Sequence, residues 1–126
     1  MSGSFTDAES VATERLLEQF DDVFQKRDPS ALDRLVADDC VIENTRPAPD
    51  GARYVGKQAC VALWTEIATN EAIRFERQHI IARGDRGEIA WRLIWGAAPE
   101  NSVRGVNLMR VRDGKIVEAR GYVKGA

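Results

Sequence analysis

The chain has 126 residues, 44% of them apolar, and its 18 basic and 20 acidic residues are interspersed to leave a formal charge of −2 at pH 7. That is apolar material enough for one domain with a real core, and it excludes the basic surface that nucleic acid or an anionic membrane would need. Apolar runs stay far short of the ~20 residues of a spanning helix, residues 1–5 lack the basic and apolar regions of a secretory leader, and a cytoplasmic location is expected.

Thr6-Asp7-Ala8-Glu9 has the form of a capping box, and Leu16, Leu17, Phe20, Val23 and Phe24 follow at helical spacing, predicting a first helix that runs to about Arg27. Asp28-Pro29 supplies an N-cap and a preset first residue for a short second helix that carries Leu32, Leu35 and Val36 and ends near Ala37. Residues 40–44 read as a strand, closed by a loop over 45–53 that holds Pro47, Pro49 and Asp50-Gly51. Tyr54-Val55 adds a short pairing segment, ended by Gly56. A third helix follows over residues 57–69 with Cys60, Leu63, Trp64 and Ile67 on one stripe, and Asn70 stops it. Three or four long strands fill the remainder, with turns at Gly84-Asp85-Arg86-Gly87, at Pro99-Glu100-Asn101-Ser102 and at Asp113-Gly114, the last a two-residue hairpin signal. Helices first and a meander afterwards give an α+β fold.

Alternation assigns the strand faces. Val103, Gly105, Asn107, Met109 and Val111 share one face of their run, and Arg104, Val106, Leu108, Arg110 and Arg112 the other. Asn107 thus lies among apolar neighbours, where an unpaired amide costs on the order of a few kcal/mol, so either the fold or a ligand satisfies it. Ile89, Trp91, Leu93 and Trp95 share a face opposed by Ala90, Arg92 and Ile94. Apolar residues on both faces predict a sheet covered twice, once by the helices and once by a second copy of the chain in a homodimer through the outer sheet face. The competing reading is a mixed, wet outer face kept soluble by Arg92, Arg104, Arg110 and Arg120.

Other chemistry is sparse. Cys40 on a predicted strand and Cys60 on a predicted helix read as buried reduced thiols. His79 is the only histidine, which leaves no multi-histidine metal site within one chain, and no phosphate-binding glycine fingerprint is present, so no cofactor is expected. His79 falls mid-strand with Phe75 and Ile81 on its face, and reads as a structural histidine, with a general base as the competing role. Glu43 points away from the face of its neighbour Asn44. Trp64, Trp91 and Trp95 form either an aromatic wall for a planar ligand or plain core packing.

The order of elements, the Asp113-Gly114-Lys115-Ile116 hairpin and the segment Ala37-Asp38-Asp39-Cys40-Val41-Ile42-Glu43-Asn44 resemble the nuclear transport factor 2-like superfamily, in its SnoaL-like and ketosteroid-isomerase-like branch, over nearly the whole chain. The resemblance implies a curved mixed or antiparallel sheet wrapped by three helices into a cone, a cystatin-like α+β barrel with an apolar pocket. Matched residue by residue, the isomerase's oxyanion-hole Tyr falls on Phe20, its catalytic Asp on Asn44 and its second oxyanion Asp on Asn107. The epoxide hydrolases' water-binding Asn resembles Asn44, but their Arg-x-Asp pair falls on Leu93 and Trp95 and their second Asp on Gly121. An amide exchanges no proton near neutral pH, so Asn44 is no general base, whereas Asn107 retains a donor for a carbonyl.

The expected function is therefore the binding of a small hydrophobic molecule in a cone lined by Phe20, Ile42, Trp64, Trp91, Leu93, Trp95, Met109 and Gly121, with Asn44 and Asn107 orienting its carbonyl or hydroxyl. The alternative is an isomerase, cyclase or hydrolase with a non-standard base, drawn from His79 or an acid of the loop around Asp50. Mutual pairing of the two amides, or their pairing to water or backbone, competes with ligand recognition. A structural dimer with a collapsed pocket is a third reading.

Overall fold

Helix α1, Gly3–Gln25, opens a computed structural model that describes residues 3–97 and 99–125, with side chains described from residue 8 onward apart from Ala98 and Ala126. The helix begins ahead of Thr6, and the capping box expected there rests on side chains outside the described ones. Asp28 caps as expected, its Oδ1 accepting from the Ser30 N–H at 3.0 Å with Pro29 following. What it caps is only a 3-10 turn, Pro29–Ala31, and one turn of helix α2, Leu32–Leu35.

Val36 is already extended, with φ −106° and ψ 128°, so Val36 and Ala37 open strand β1, Val36–Glu43, instead of closing the second helix. The physical reason is pairing at a distance: Val36 lies against Ile116 of the last strand, and a short apolar run does not by itself distinguish helix from strand. Strand β2, Arg53–Val55, and helix α3, Lys57–Thr69, follow. The meander comprises β3, Arg74–Arg83, β4, Arg86–Ile94, β5, Ser102–Arg112, and β6, Lys115–Val123.

These strands form one sheet in the order β2-β1-β6-β5-β4-β3. The β1–β6 pair is parallel and the others antiparallel, so the sheet is mixed. It does not close: β2 and β3 are its edges, and the architecture is an open curved sheet rather than a barrel. Register shifts between Val36 and Val41, between Arg77 and His79, and between Arg110 and Val111 mark the irregularities that bend it. Helix α1 lies against β3 and β4, and α3 against β1. Between them sit Leu17, Phe20, Leu32, Leu35, Cys40, Cys60, Ile89 and Ile116, all fully buried.

The thiols of Cys40 and Cys60 are free, as expected, and Cys60 Sγ donates to the Cys40 carbonyl at 3.4 Å. Burial pushes both thiols above their ordinary value, Cys40 strongly so, which keeps them protonated. Among the described residues no helix is long and apolar enough to cross a membrane.

The loop after β1 is tied to its strand by the Asn44 N–H, which donates to the Ala52 carbonyl at 2.8 Å. Gly51 sits at φ +83° against the Asn44 carbonyl, where an added Cβ would overlap the oxygen. Gly51→Ala is expected to lose the ~1–3 kcal/mol of a left-handed non-glycine residue, with the overlap adding to it. The urea midpoint measures this, and a midpoint equal to that of the native chain would show that the loop is not clamped onto Asn44.

Candidate ligand cavity

The curved sheet and the helices that cover it enclose a cavity of about 810 Å³. Its wall is built from one row of aromatic rings. Trp64 on α3 meets Phe20 on α1 at 4.7 Å between ring centroids, Phe20 meets Phe24 at 5.1 Å, Phe24 meets Phe75 on β3 at 6.0 Å, and Phe75 meets Trp91 on β4 at 5.5 Å, each pair edge to face. The helical spacing of Phe20 and Phe24 and the pairing of Phe75 with Leu93 across β3 and β4 bring these rings to one side.

The polar side belongs to the sheet. Asn107 on β5 pairs with Gly121 on β6, and Asn44 follows directly on Glu43, whose partner on β6 is Arg120, so the two amides flank Gly121 in one row. A Cβ on Gly121 would come within 2.9 Å of Thr45 Cγ2 and 3.4 Å of Asn107 Oδ1, so a glycine there keeps the space between the amides open. The amides do not pair with each other. Asn107 Oδ1 accepts from Trp91 Nε1 at 3.3 Å, and Asn44 Oδ1 accepts from the Thr45 N–H at 2.9 Å. Indole and backbone N–H groups only donate, so both carboxamides must turn their oxygens to these partners. Neither Nδ2 donates to a described protein group, and among the described residues no buried side-chain nitrogen or oxygen lacks a partner, so both NH₂ groups reach open space.

A carboxylate that the sequence reading missed also lines this cavity. Asp21 on α1 is only 5% exposed, and its Oδ2 accepts from Arg77 Nε at 2.6 Å and from Gln25 Nε2 at 3.3 Å. Arg77, on β3, bonds Asp22 Oδ1 at 2.8 Å as well. Burial pushes the Asp21 carboxyl above its ordinary value in spite of Arg77. Burial also works against the charge of Arg77, but its bonds to Asp21 and Asp22 together outweigh that and hold the guanidinium above its usual range. The two directions are compatible, because Asp21 is the deeper partner and carries more of the desolvation. No helical pattern marks Asp21, and Arg77 lies 56 residues away in sequence.

Of the residues expected in the cone, Phe20, Ile42, Asn44, Trp64, Trp91, Leu93, Trp95, Asn107 and Gly121 line the cavity. Met109 does not. It is buried on the same strand face, two residues beyond Asn107, opposite Ala119 and Gly87. His79 is placed outside. The bulge between Arg77 and His79 breaks the alternation, so Phe75 faces the helices while His79 and Ile81 face outward. There His79 Nε2 lies 2.8 Å from Glu88 Oε2 with half its side chain exposed. Asp50 is exposed and does not line the cavity, whereas Glu43, which sits within 4.0 Å of Arg120, contributes to its lining next to Asn44 although alternation turns it to the other face. Ile89 and Ala119 also line it, Ile89 from the face that alternation assigns it, and Arg46, Glu100 and Ser102 add polar groups.

A SnoaL-like domain model matches residues 17–119. A nuclear transport factor 2-like protein of unknown function from Mesorhizobium loti is 57% identical, with a TM-score of 0.87 over 93% of this chain and 94% of that one. A provisionally assigned ketosteroid isomerase from Kribbella flavida is 18% identical, with a TM-score of 0.78 over 97% of this chain and 83% of that one. An epoxide hydrolase from M. tuberculosis, of the LEH-like kind, is 23% identical, with a TM-score of 0.72 over 92% and 81%. The last two show a common fold alone. Among curated proteins no significant match is found.

The raised Asp21 value has a sign that can be measured. The native state holds this proton more tightly than the unfolded chain, whose reference value is 3.8, so the stability Asp21 contributes is full below that pH and is lost as pH rises through the folded value. Asp21→Asn removes the titration, and its cost in urea unfolding is expected to be larger near about pH 4 than near about pH 7. A cost that grows toward neutral pH would show that the Arg77 pairing, not burial, dominates.

Proposed function

The chain belongs to the SnoaL-like family of the nuclear transport factor 2-like superfamily, and from that premise we propose that it binds a small hydrophobic molecule whose carbonyl or hydroxyl is held by Asn44 and Asn107. One observation carries the reading: both carboxamide oxygens are engaged by obligate donors, and both NH₂ groups are left for an acceptor in an aromatic-walled cavity. A volume of about 810 Å³ suits a ligand of two to four fused rings. Catalysis in the manner of the fold's isomerases is disfavoured, since loss of a positioned base removes roughly 100- to 10,000-fold in rate. His79 and Asp50, the bases the sequence offers in its place, lie away from the cavity.

A second copy of the chain is proposed on the outer sheet face. Leu108 and Tyr122 are 43% and 48% exposed there, and Ile81 55%. Cross-strand pairing puts Ile81, Glu88, Leu108 and Arg120 in one row and Val106 beside Tyr122, so exposed apolar side chains stand among the His79–Glu88, Arg110–Glu118 and Arg120–Glu118 ion pairs. Large exposed apolar side chains on one sheet face, interspersed with paired charges, support a face that a second copy covers.

Tryptophans 64, 91 and 95 all line the cavity, so their fluorescence reports on it directly. Acetylnaphthalene is expected to quench it saturably. Asn44→Asp, which still accepts from the Thr45 N–H but no longer donates, should weaken binding roughly two- to tenfold, the worth of one hydrogen bond. Absence of any quenching by acetylnaphthalene or larger hydrophobic ketones would sink the reading. Independently, Leu108→Glu should convert a dimer into a monomer in sedimentation velocity, and a native chain that sediments as a monomer at micromolar concentration would dismiss the outer-face interface.

A further inference from the structure

The two amides give the cavity donors on its sheet side, and Asp21 gives it an acceptor on its helix side. We infer that Asp21 is a second ligand contact, one that takes a hydrogen-bond donor, so that the ligand class is a hydrophobic ketone bearing a hydroxyl or amino group away from its carbonyl. This rests on the reading of the cavity as a ligand site.

The argument is one of unfilled valence. Both bonds that Asp21 accepts fall on Oδ2, and Oδ1 accepts none from the described protein. Among the described residues no buried side-chain oxygen is left without a partner, so Oδ1 is not sealed off. The residue is only 5% exposed and lines the cavity, which makes the cavity the space Oδ1 reaches. A carboxylate accepts and does not donate, and each ionised oxygen holds two acceptor positions. The charge around it points the same way. Arg77 serves Asp21 and Asp22 together, leaving that trio with one net negative charge beside the cavity, which favours an N–H or O–H and repels a ligand carboxylate.

Pinning α1 to β3 accounts for Arg77 and for Oδ2. It assigns nothing to Oδ1. Asp22 separates the two roles, because it bonds the same guanidinium without lining the cavity.

The test compares three probes by tryptophan quenching of the intact chain: acetylnaphthalene, its far-ring hydroxy derivative, and the corresponding methoxy derivative, which accepts but does not donate. The hydroxy compound is expected to bind roughly tenfold more tightly than either of the others, the effect of one charge-assisted hydrogen bond. That preference should fall to about twofold in Asp21→Asn and stay unchanged in Asp22→Asn, which loosens the Arg77 clip without touching the cavity. If the hydroxy and methoxy compounds bind the native chain equally, the Asp21 contact is overturned while the cavity reading stands; this comparison needs no variant to fold. If Asp22→Asn erases the preference as fully as Asp21→Asn, the effect travels through the helix clip and the contact is likewise overturned. If none of the three binds, the cavity reading fails and carries this inference with it.

Discussion

Trp91 has an indole N–H that can only donate, and it stands at the end of a row of rings that joins both long helices to the sheet. The row fixes the ring. Edge-to-face contacts between Trp64, Phe20, Phe24, Phe75 and Trp91 add about 0.5–1.5 kcal/mol each beyond the area they bury, and none of these rings can tilt without losing one. With the indole so placed, its N–H needs an acceptor in an apolar wall, and Asn107 supplies it. The orientation of Asn107, and with it the direction of the free NH₂, is thus a consequence of aromatic packing on the opposite layer.

The same packing explains why a cavity exists. A sheet bent by bulges on β1, β3 and β5–β6 curves away from α1, and the helix follows only its β3–β4 side. The rings span the gap as a wall rather than filling it, and small residues such as Gly121 and Ala119 on β6 leave the far side open. Charge is confined to where it can be paired: Asp21 is buried only because Arg77, on an edge strand with a third of its side chain exposed, brings a guanidinium to meet it.

Strand faces were legible in the sequence wherever alternation ran unbroken. Ile89, Trp91, Leu93 and Trp95, and Val103 with Asn107, reach the helix side as their spacing requires. Alternation fails at Gln78, the extra residue of the β3 bulge, and everything after it turns over: His79 leaves the face of Phe75 for solvent, while Ile80 packs inward. Nothing in the local composition announces that bulge. Val36 and Ala37 were misread for a related reason, since their strand partner is 80 residues away at Ile116 and local spacing carries no trace of it. Asp21 was hidden by its own neighbourhood. Two adjacent aspartates on an amphipathic helix look like its wet face, and although both bond Arg77 on β3, only the helix packing over the sheet buries Asp21 and leaves Asp22 partly exposed.

The chemistry of the cavity follows from where acids and amides sit, not from the fold that holds them. By resemblance, an isomerase of this fold carries its phenol on the first helix and its carboxylate base at the end of the first strand. Here the helix position is Phe20, 1% exposed and in contact with rings on two sides, so it is a packed core residue with no polar edge to offer. The strand position is Asn44, an amide whose oxygen is tied down. The carboxylate has moved across the cavity to Asp21, one residue along from Phe20. At positions 20 and 44 the donor and the base of that arrangement are absent, Asn107 keeps an amide where its second oxyanion residue falls, and Asp21 adds an acceptor on the helix side. What the cavity lacks relative to that arrangement is a group at position 20 or 44 able to move a proton, since a phenyl ring has none and an amide exchanges none near neutral pH.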